Sequence, residues 1–225
     1  MAYFSQDFID FFSELANNNH KDWFDENRKR YENVIKKPFK AFVEDMIIKV
    51  NELDPKVQIE AKNAIFRINR DIRFSKDKTP YKMDRTAAIS PKGRKDHSDP
   101  GFYVSLGPEK LMVGGGAYFL PPETLLKVRN YIMANPMEFE STINDKRFKS
   151  TYGALKGDEN KRLPNKELMA AAQDQPLLMR KQFYYMAESD SDLILSDKLM
   201  DHCLKQYEDG KKMKGFLRTA MGMST

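Results

Sequence analysis

The chain has 225 residues, 40% hydrophobic and 12% aromatic, with 38 Lys and Arg against 33 Asp and Glu and a net charge of +5. A chain of this length buries roughly 70–75% of its unfolded surface, so it can build a core without disulfide staples, and its apolar content excludes a disordered chain. The acids are interspersed with the bases, so the balance tilts the protein mildly toward anionic partners without marking a nucleic-acid-binding face.

Phe4, Phe8, Phe11, Phe12 and Leu15 recur at helical spacing behind the capping residue Ser5, and predict a first helix that stops at Asn17 to Asn19. A second helix is expected from Asp22 to Ile35, with Phe24, Tyr31 and Ile35 inward. Pro38 opens a third, whose face is Phe39, Phe42, Val43, Met46, Ile47 and Val50, and Asp54-Pro55 ends it. The period then changes. Ala64 to Phe74 alternates apolar and polar residues and predicts a strand, and Thr86 to Ser90, Gly101 to Leu106 and Leu111 to Tyr118 read as further strands. Helices are expected from Pro121-Pro122, with Leu125, Val128, Arg129 and Ile132, and after Pro136, with Phe139 and Ile143. Lys156 to Lys166 reads as a loop, Phe183 to Met186 as a strand, and Ser196 to Tyr207 and Met213 to Met221 as helices. No linker or repeat divides the chain, so a single domain is expected. Its class is α+β: a mostly antiparallel sheet of about four to six strands flanked by N-terminal and C-terminal helices.

The single cysteine, Cys203, cannot form a disulfide within the chain, so a reducing cytoplasm is the expected compartment. Asp7, Asp10 and Glu14 interrupt the N-terminal apolar stretch, unlike a signal peptide. The longest uncharged run, Leu111 to Pro122, is glycine-rich and far short of the roughly 20 residues that span a bilayer, so no membrane association is expected.

The segment Arg67 to Tyr81 concentrates the chemistry. As a strand it places Phe66, Ile68, Ile72 and Phe74 on one face, with Arg70 among them, and Arg67, Asn69, Asp71 and Arg73 on the other. Asp71 lies two residues from Arg73, where the guanidinium lowers the carboxyl pKa and makes it a poor general base. The expected role of Asp71 is therefore to orient the arginine. Ser75, Lys76, Asp77, Lys78, Pro80 and Tyr81 follow as a turn that could bring two more cations and a phenol to the same face. Arg67, Arg70, Asp71, Arg73, Lys76, Asp77, Lys78 and Tyr81 thus make a candidate site for a phosphate or carboxylate, which guanidinium forks bind bidentately. The alternative is an ionic network on a solvated face, with Asp77 and Lys78 serving only the turn. Arg70, among apolar neighbours, requires a carboxylate or an aromatic such as Trp23 as its partner.

The stretch RINRDIRFSKDKTPY resembles the signature of a bacterial family known as domain of unknown function 2461, in which R-x-x-R-D-x-R-F is followed by D-K-x-x-Y. Leu15-Ala16-Asn17-Asn18, Asp22-Trp23-Phe24, Pro100-Gly101-Phe102-Tyr103 and the glycine triplet ahead of Pro121 resemble it too, so the likeness spans nearly the whole chain. The resemblance implies no activity, since the family has none assigned.

Gly114-Gly115-Gly116 lacks a following Gly-Lys-Ser/Thr, so close approach of a neighbouring element or a bulge is expected there rather than a phosphate loop. His20, His97 and His202 are too scattered for a zinc site, and no cofactor is implied. Asp96-His97-Ser98-Asp99 is too local to converge as a triad, and His202 and Cys203 face different ways on a helix. Lys29, Arg30, Lys36, Lys37 and Lys40 give the early helices a basic tilt. Three readings remain: a binding protein or metal-independent enzyme for a small anionic ligand, a nucleic-acid-binding module, and a structural or interaction protein without a small-molecule site.

Overall fold

The computed structural model describes residues 2–96 and 99–223. The N-terminal helices are α1 (Gln6–Asn17) and α2 (Lys21–Glu26), the latter capped by His20, whose Nδ1 accepts from the Trp23 N–H at 3.4 Å. A continuous helical run follows through Arg28–Arg30 and the π-helical turns Tyr31–Lys36 into α3 (Lys37–Leu53). The sequence predicts a break before Pro38, and the widened turns explain its absence. Proline has no N–H for the preceding turn and its ring crowds a carbonyl there, so the helix relaxes to a wider bond pattern in which the Lys37 N–H donates to Glu32 O.

After a single turn, α4 (Ala61–Ala64), come β1 (Arg85–Ile89), β2 (Gly101–Leu106) and β3 (Lys110–Ala117). Then follow α5 (Pro122–Ala134), α6 (Pro136–Ile143), α7 (Lys146–Tyr152), α8 (Lys166–Asp174) and β4 (Phe183–Asp190). The chain ends in α9 (Leu199–Asp209) and α10 (Lys211–Ala220). The strands form one antiparallel sheet in the order β1-β2-β3-β4, so the class is α+β. Besides the single turn α4, two helices were not anticipated. The Asp145 carboxylate caps α7 by accepting from the Arg147 and Phe148 N–H groups, and Asn165 caps α8 by accepting from the Leu168 N–H at 2.8 Å.

The chain forms two compact units, Met1–Arg94 with Tyr103–Val113 and Glu188–Leu204, and Lys95–Phe102 with Gly114–Ala187 and Lys205–Thr225. The first is built on aromatic rings: Phe8, Phe12, Phe11, Phe24 and Tyr31 follow one another at centroid separations of 4.9–6.3 Å. Phe39 and Phe42 of α3 are fully buried in the same unit, and each such ring contributes roughly 1.5–3 kcal/mol over its exposed state. The second unit packs Val128, Ile132, Phe139, Phe148, Phe183 and Leu217 into its core. Its buried ion pair joins Arg218 Nη2 to Asp99 at 2.9 Å.

Candidate functional site

The expected strand from Ala64 to Phe74 does not form. Ala61–Ala64 is helical, and beyond it the backbone makes only isolated pairings: Ile65 with Ala87 and Asn69 with Tyr81, both antiparallel. The Phe66 N–H donates to Thr86 O at 3.0 Å, Lys82 N–H to Ile68 O at 2.9 Å and Arg70 N–H to Pro80 O at 2.8 Å. Residues 65–70 and 80–87 are therefore two arms of an irregular ribbon. Regular pairing is broken from both sides: Pro80 has no N–H to give, and the Asp71 side chain competes for the Arg73 N–H at 3.4 Å.

Ion pairs shape the loop that joins the arms. Arg70 Nη1 donates to Asp77 Oδ2, to Thr79 Oγ1 and, at 3.1 Å, to Thr79 O. Asp77 also accepts from the Thr79 N–H at 2.9 Å, so the guanidinium and an Asx turn close the loop together. The partner Arg70 requires is thus a carboxylate, Asp77, and not Trp23. The Thr79 N–H, with the Arg70 guanidinium behind it, holds the Asp77 carboxyl down at about 2. Asp71 takes Arg73 in a two-pronged pair, Nε to Oδ1 at 2.9 Å and Nη2 to Oδ2 at 2.7 Å, and that guanidinium lowers its pKa to about 2. Lys78 Nζ donates to Ile72 O at 3.0 Å.

The eight candidate residues divide. Arg67, Asp71, Arg73, Lys76, Asp77 and Lys78 are exposed, Arg70 is half-buried, and Tyr81 is buried with its ring stacked on Phe24 at a centroid distance of 4.0 Å. Phe74, expected on the apolar face of that strand, is 96% exposed, because the loop leaves the ribbon before reaching it. Two grooves of the first unit are lined by other residues than 67–81. One of about 680 Å³ runs along Ile47, Asn51, Val57 and Pro91, and one of about 400 Å³ along Phe12, Asp84, Ser105 and Lys110.

Two further cations adjoin the ribbon and were not among the candidates. Arg85, the first residue of β1, is only 4% exposed. Its guanidinium lies over the Phe39 ring at 5.2 Å, its Nε is buried without a hydrogen-bond partner, and burial lowers its pKa. Lys82 is half-buried over the Phe66 ring at 5.2 Å, and burial lowers its pKa, against the opposing charge of Asp84 and with the weaker effects of Arg85 and Arg67. The signal for Arg85 was present: it shares the alternation of Ala87 and Ile89, both fully buried, and so had to point inward.

The remaining motifs have structural explanations. A Cβ at Gly115 would lie 2.8 Å from Gly101 O and 3.0 Å from the Tyr185 hydroxyl, so the glycine triplet serves close backbone approach. His202 Nε2 shares a hydrogen bond with Ser189 Oγ at 3.0 Å, and burial pushes the Cys203 thiol up to about 12. His97 and Ser98 lie outside the described residues. Among the described residues, no three His, Cys, Asp or Glu side chains converge to hold a metal ion. Among the described residues, no helix is long and apolar enough to cross a membrane. On the basic early helices, Arg30 pairs with Asp7 and with Glu14 at 2.7 Å, Lys36 with Glu32 at 2.7 Å and Lys40 with Glu44 at 2.6 Å.

No curated protein matches the chain. A family model described as "Conserved hypothetical protein (DUF2461)" matches residues 7–216, which include the whole ribbon and its loop, and the chain therefore belongs to the DUF2461 family.

Proposed function

We propose that the protein binds a small anionic ligand bearing a phosphate or carboxylate, or acts on one without a metal, in a reducing cytoplasm. The ligand lies on the loop between the two arms, where Arg67, Arg73, Lys76 and Lys78 face it. Asp71 orients Arg73, Arg70 and Asp77 keep the loop closed, and Tyr81 anchors the second arm through Phe24. One observation carries the reading. Between Arg67 and Lys78 there are five cations and two carboxylates, and both carboxylates are taken by Arg70 and Arg73. Arg67, Lys76 and Lys78 therefore keep positive charge available to a partner.

A second reading, a nucleic-acid-binding module, draws support from Phe74. Its ring is 96% exposed with the Arg73 guanidinium 5.8 Å from its centroid, and cations interleaved with an exposed ring suit a stacked base.

Thermal unfolding against phosphorylated metabolites, nucleotides, carboxylates and a short oligonucleotide distinguishes the two. A compound at about 100 times its dissociation constant adds roughly 2.7 kcal/mol. The small-anion reading expects one small compound to raise the wild-type midpoint and to leave Arg73→Ala unmoved. If only the oligonucleotide acts, with a steep loss on adding salt and on Phe74→Ala, the second reading replaces it. If no compound acts, both fail and an architectural role for the loop stands.

A further inference from the structure

One groove of the first unit offers a chemistry that the cationic loop does not. About 400 Å³ in volume, it lies between α1, the residues that enter β1 and the turn joining β2 to β3. Small-molecule sites occupy roughly 300–1,000 Å³ and combine apolar walls with a few fixed polar groups. The walls here are the Phe12 ring and the Met83 and Met112 thioethers, and methionine side chains mould readily to an aliphatic guest. The fixed polar group is Asp84. Its Oδ2 accepts from Ser105 Oγ at 2.8 Å, and Ser105 is 1% exposed, so this hydroxyl holds the carboxylate from inside the protein. The turn packs against the same residue: the Gly107 N–H donates to Lys110 O at 3.1 Å, and a Cβ at Gly107 would stand 3.4 Å from the Asp84 Cβ.

Among the described residues, the half-buried Asp84 makes no other hydrogen bond and no ion pair, so its Oδ1 lacks a donor. Lys82 and Arg85 are near enough to feel its charge, but their cationic ends lie over the Phe66 and Phe39 rings, each at 5.2 Å, and donate nothing to it. Other donors in the lining are already engaged. Lys110 Nζ pairs with Glu188 at 2.9 Å, and Ser13 Oγ donates to Ile9 O at 3.0 Å. The exposed Glu109 beside Lys110 has no ion-pair partner among the described residues. Acceptors are therefore in excess in this groove, the reverse of the balance on the loop.

We propose that this groove binds a small primary amine as its ammonium, with the N–H groups on Asp84 and a short aliphatic stem against Met83, Met112 and Phe12. An ammonium carries three donors and no acceptor, and its bond to a carboxylate is roughly twice as strong as one between neutral groups. Asp84 and Glu109 repel an anion. The site is thus distinct from the one proposed on the loop, and it stands or falls without it.

The probes are ethyl-, propyl- and butylammonium chloride, with butanol and sodium butyrate as neutral and anionic counterparts, all at one ionic strength. They are titrated into protein labelled with carbon-13 at its methionine methyl groups, and the methyl signals are followed by NMR. The Met83 and Met112 signals are expected to shift and saturate with butylammonium, and not with butanol or butyrate. Each added methylene should tighten binding by up to roughly fourfold, the worth of burying one such group. Asp84→Asn keeps an acceptor for Ser105 Oγ, and it should bind butylammonium at least roughly tenfold more weakly through the loss of a charged partner. Should Asp84→Asn not fold, Ser13→Phe takes its place: the position is exposed on α1, and the ring fills the groove and should abolish the shifts. Arg73→Ala should bind as wild type does.

The proposal is overturned if the two methionine signals do not move, if butanol moves them as butylammonium does, or if chain length makes no difference. Wild-type affinity in Asp84→Asn, or in Ser13→Phe where that variant replaces it, overturns it as well. So does a response lost in Arg73→Ala, because residues 67–81 do not line this groove. None of these outcomes bears on the anion-binding reading, whose own test is the response to phosphorylated compounds and carboxylates.

Discussion

The side-chain amide of Asn19 grips the backbone of Tyr81 on both sides: its Nδ2 donates to Tyr81 O at 2.9 Å, and its Oδ1 accepts the Tyr81 N–H at 3.0 Å. One side chain thus does for the second arm what a neighbouring strand would do, and it ties residues 62 positions apart. Stacking of Tyr81 on Phe24 of α2 secures the same arm from its side chain.

Asn19→Ala leaves a half-buried N–H and C=O without partners, and each such group costs about 1–3 kcal/mol. Urea unfolding should show a loss of about 2–4 kcal/mol on that scale. Asn19→Asp, which accepts from the N–H but offers nothing to the carbonyl, should fall between. Equal stability of all three proteins would mean that the amide does not hold the arm.

Folding lowers the carboxyls of Asp71 and Asp77 from an ordinary 3.8 to about 2. Stability from such groups is fully present above the ordinary value and is lost as pH falls through the folded one. The wild type should therefore be more stable than Asp71→Asn/Asp77→Asn at neutral pH, and the gap should close between about pH 4 and pH 2. Both carboxylates are solvated, so the gap is small. Urea midpoints at successive pH values measure it, and a gap that stays constant to pH 2 rules the two clamps out.

Glycines test backbone geometry directly. Gly116 has φ +106°, and a Cβ there would overlap the Phe183 carbonyl. Gly116→Ala should cost at least about 1–3 kcal/mol, the range for a forced overlap in a packed interior. Gly215 lies inside α10 with nothing within 4 Å of a built Cβ, so Gly215→Ala should stabilise by about 0.4–1 kcal/mol. Denaturation midpoints moving in the same direction for both would contradict these placements.

Cys203 is fully buried and its thiol is raised to about 12, so almost none of it is thiolate at pH 8. A thiol reagent at that pH should label the unfolded chain and leave the native protein unmodified over the same time. Rapid native labelling would place the thiol at the surface.

Most helices and all four strands of the sheet were legible because their signals are local. Phe8, Phe11, Phe12 and Leu15 repeat with the turn of a helix, and all four are buried; Gly101–Leu106 alternates and is β2. The strand expected at Ala64 to Phe74 shows where that reasoning ends. Alternation reports which residues suit a pleated face, but whether N–H groups are free to pair depends on Pro80 across the ribbon and on the Asp71 side chain within the segment. Within the site, the sequence alone determined that arginines and carboxylates crowd one segment and that Asp71 pairs with Arg73, since residues two apart meet in any extended chain. Only the tertiary structure decided that Arg70 closes a loop with Asp77, that Tyr81 turns to Phe24, and that Arg85 lies buried over Phe39. Burial and charge pairing are sums over neighbours distant in the chain, and no local pattern contains them.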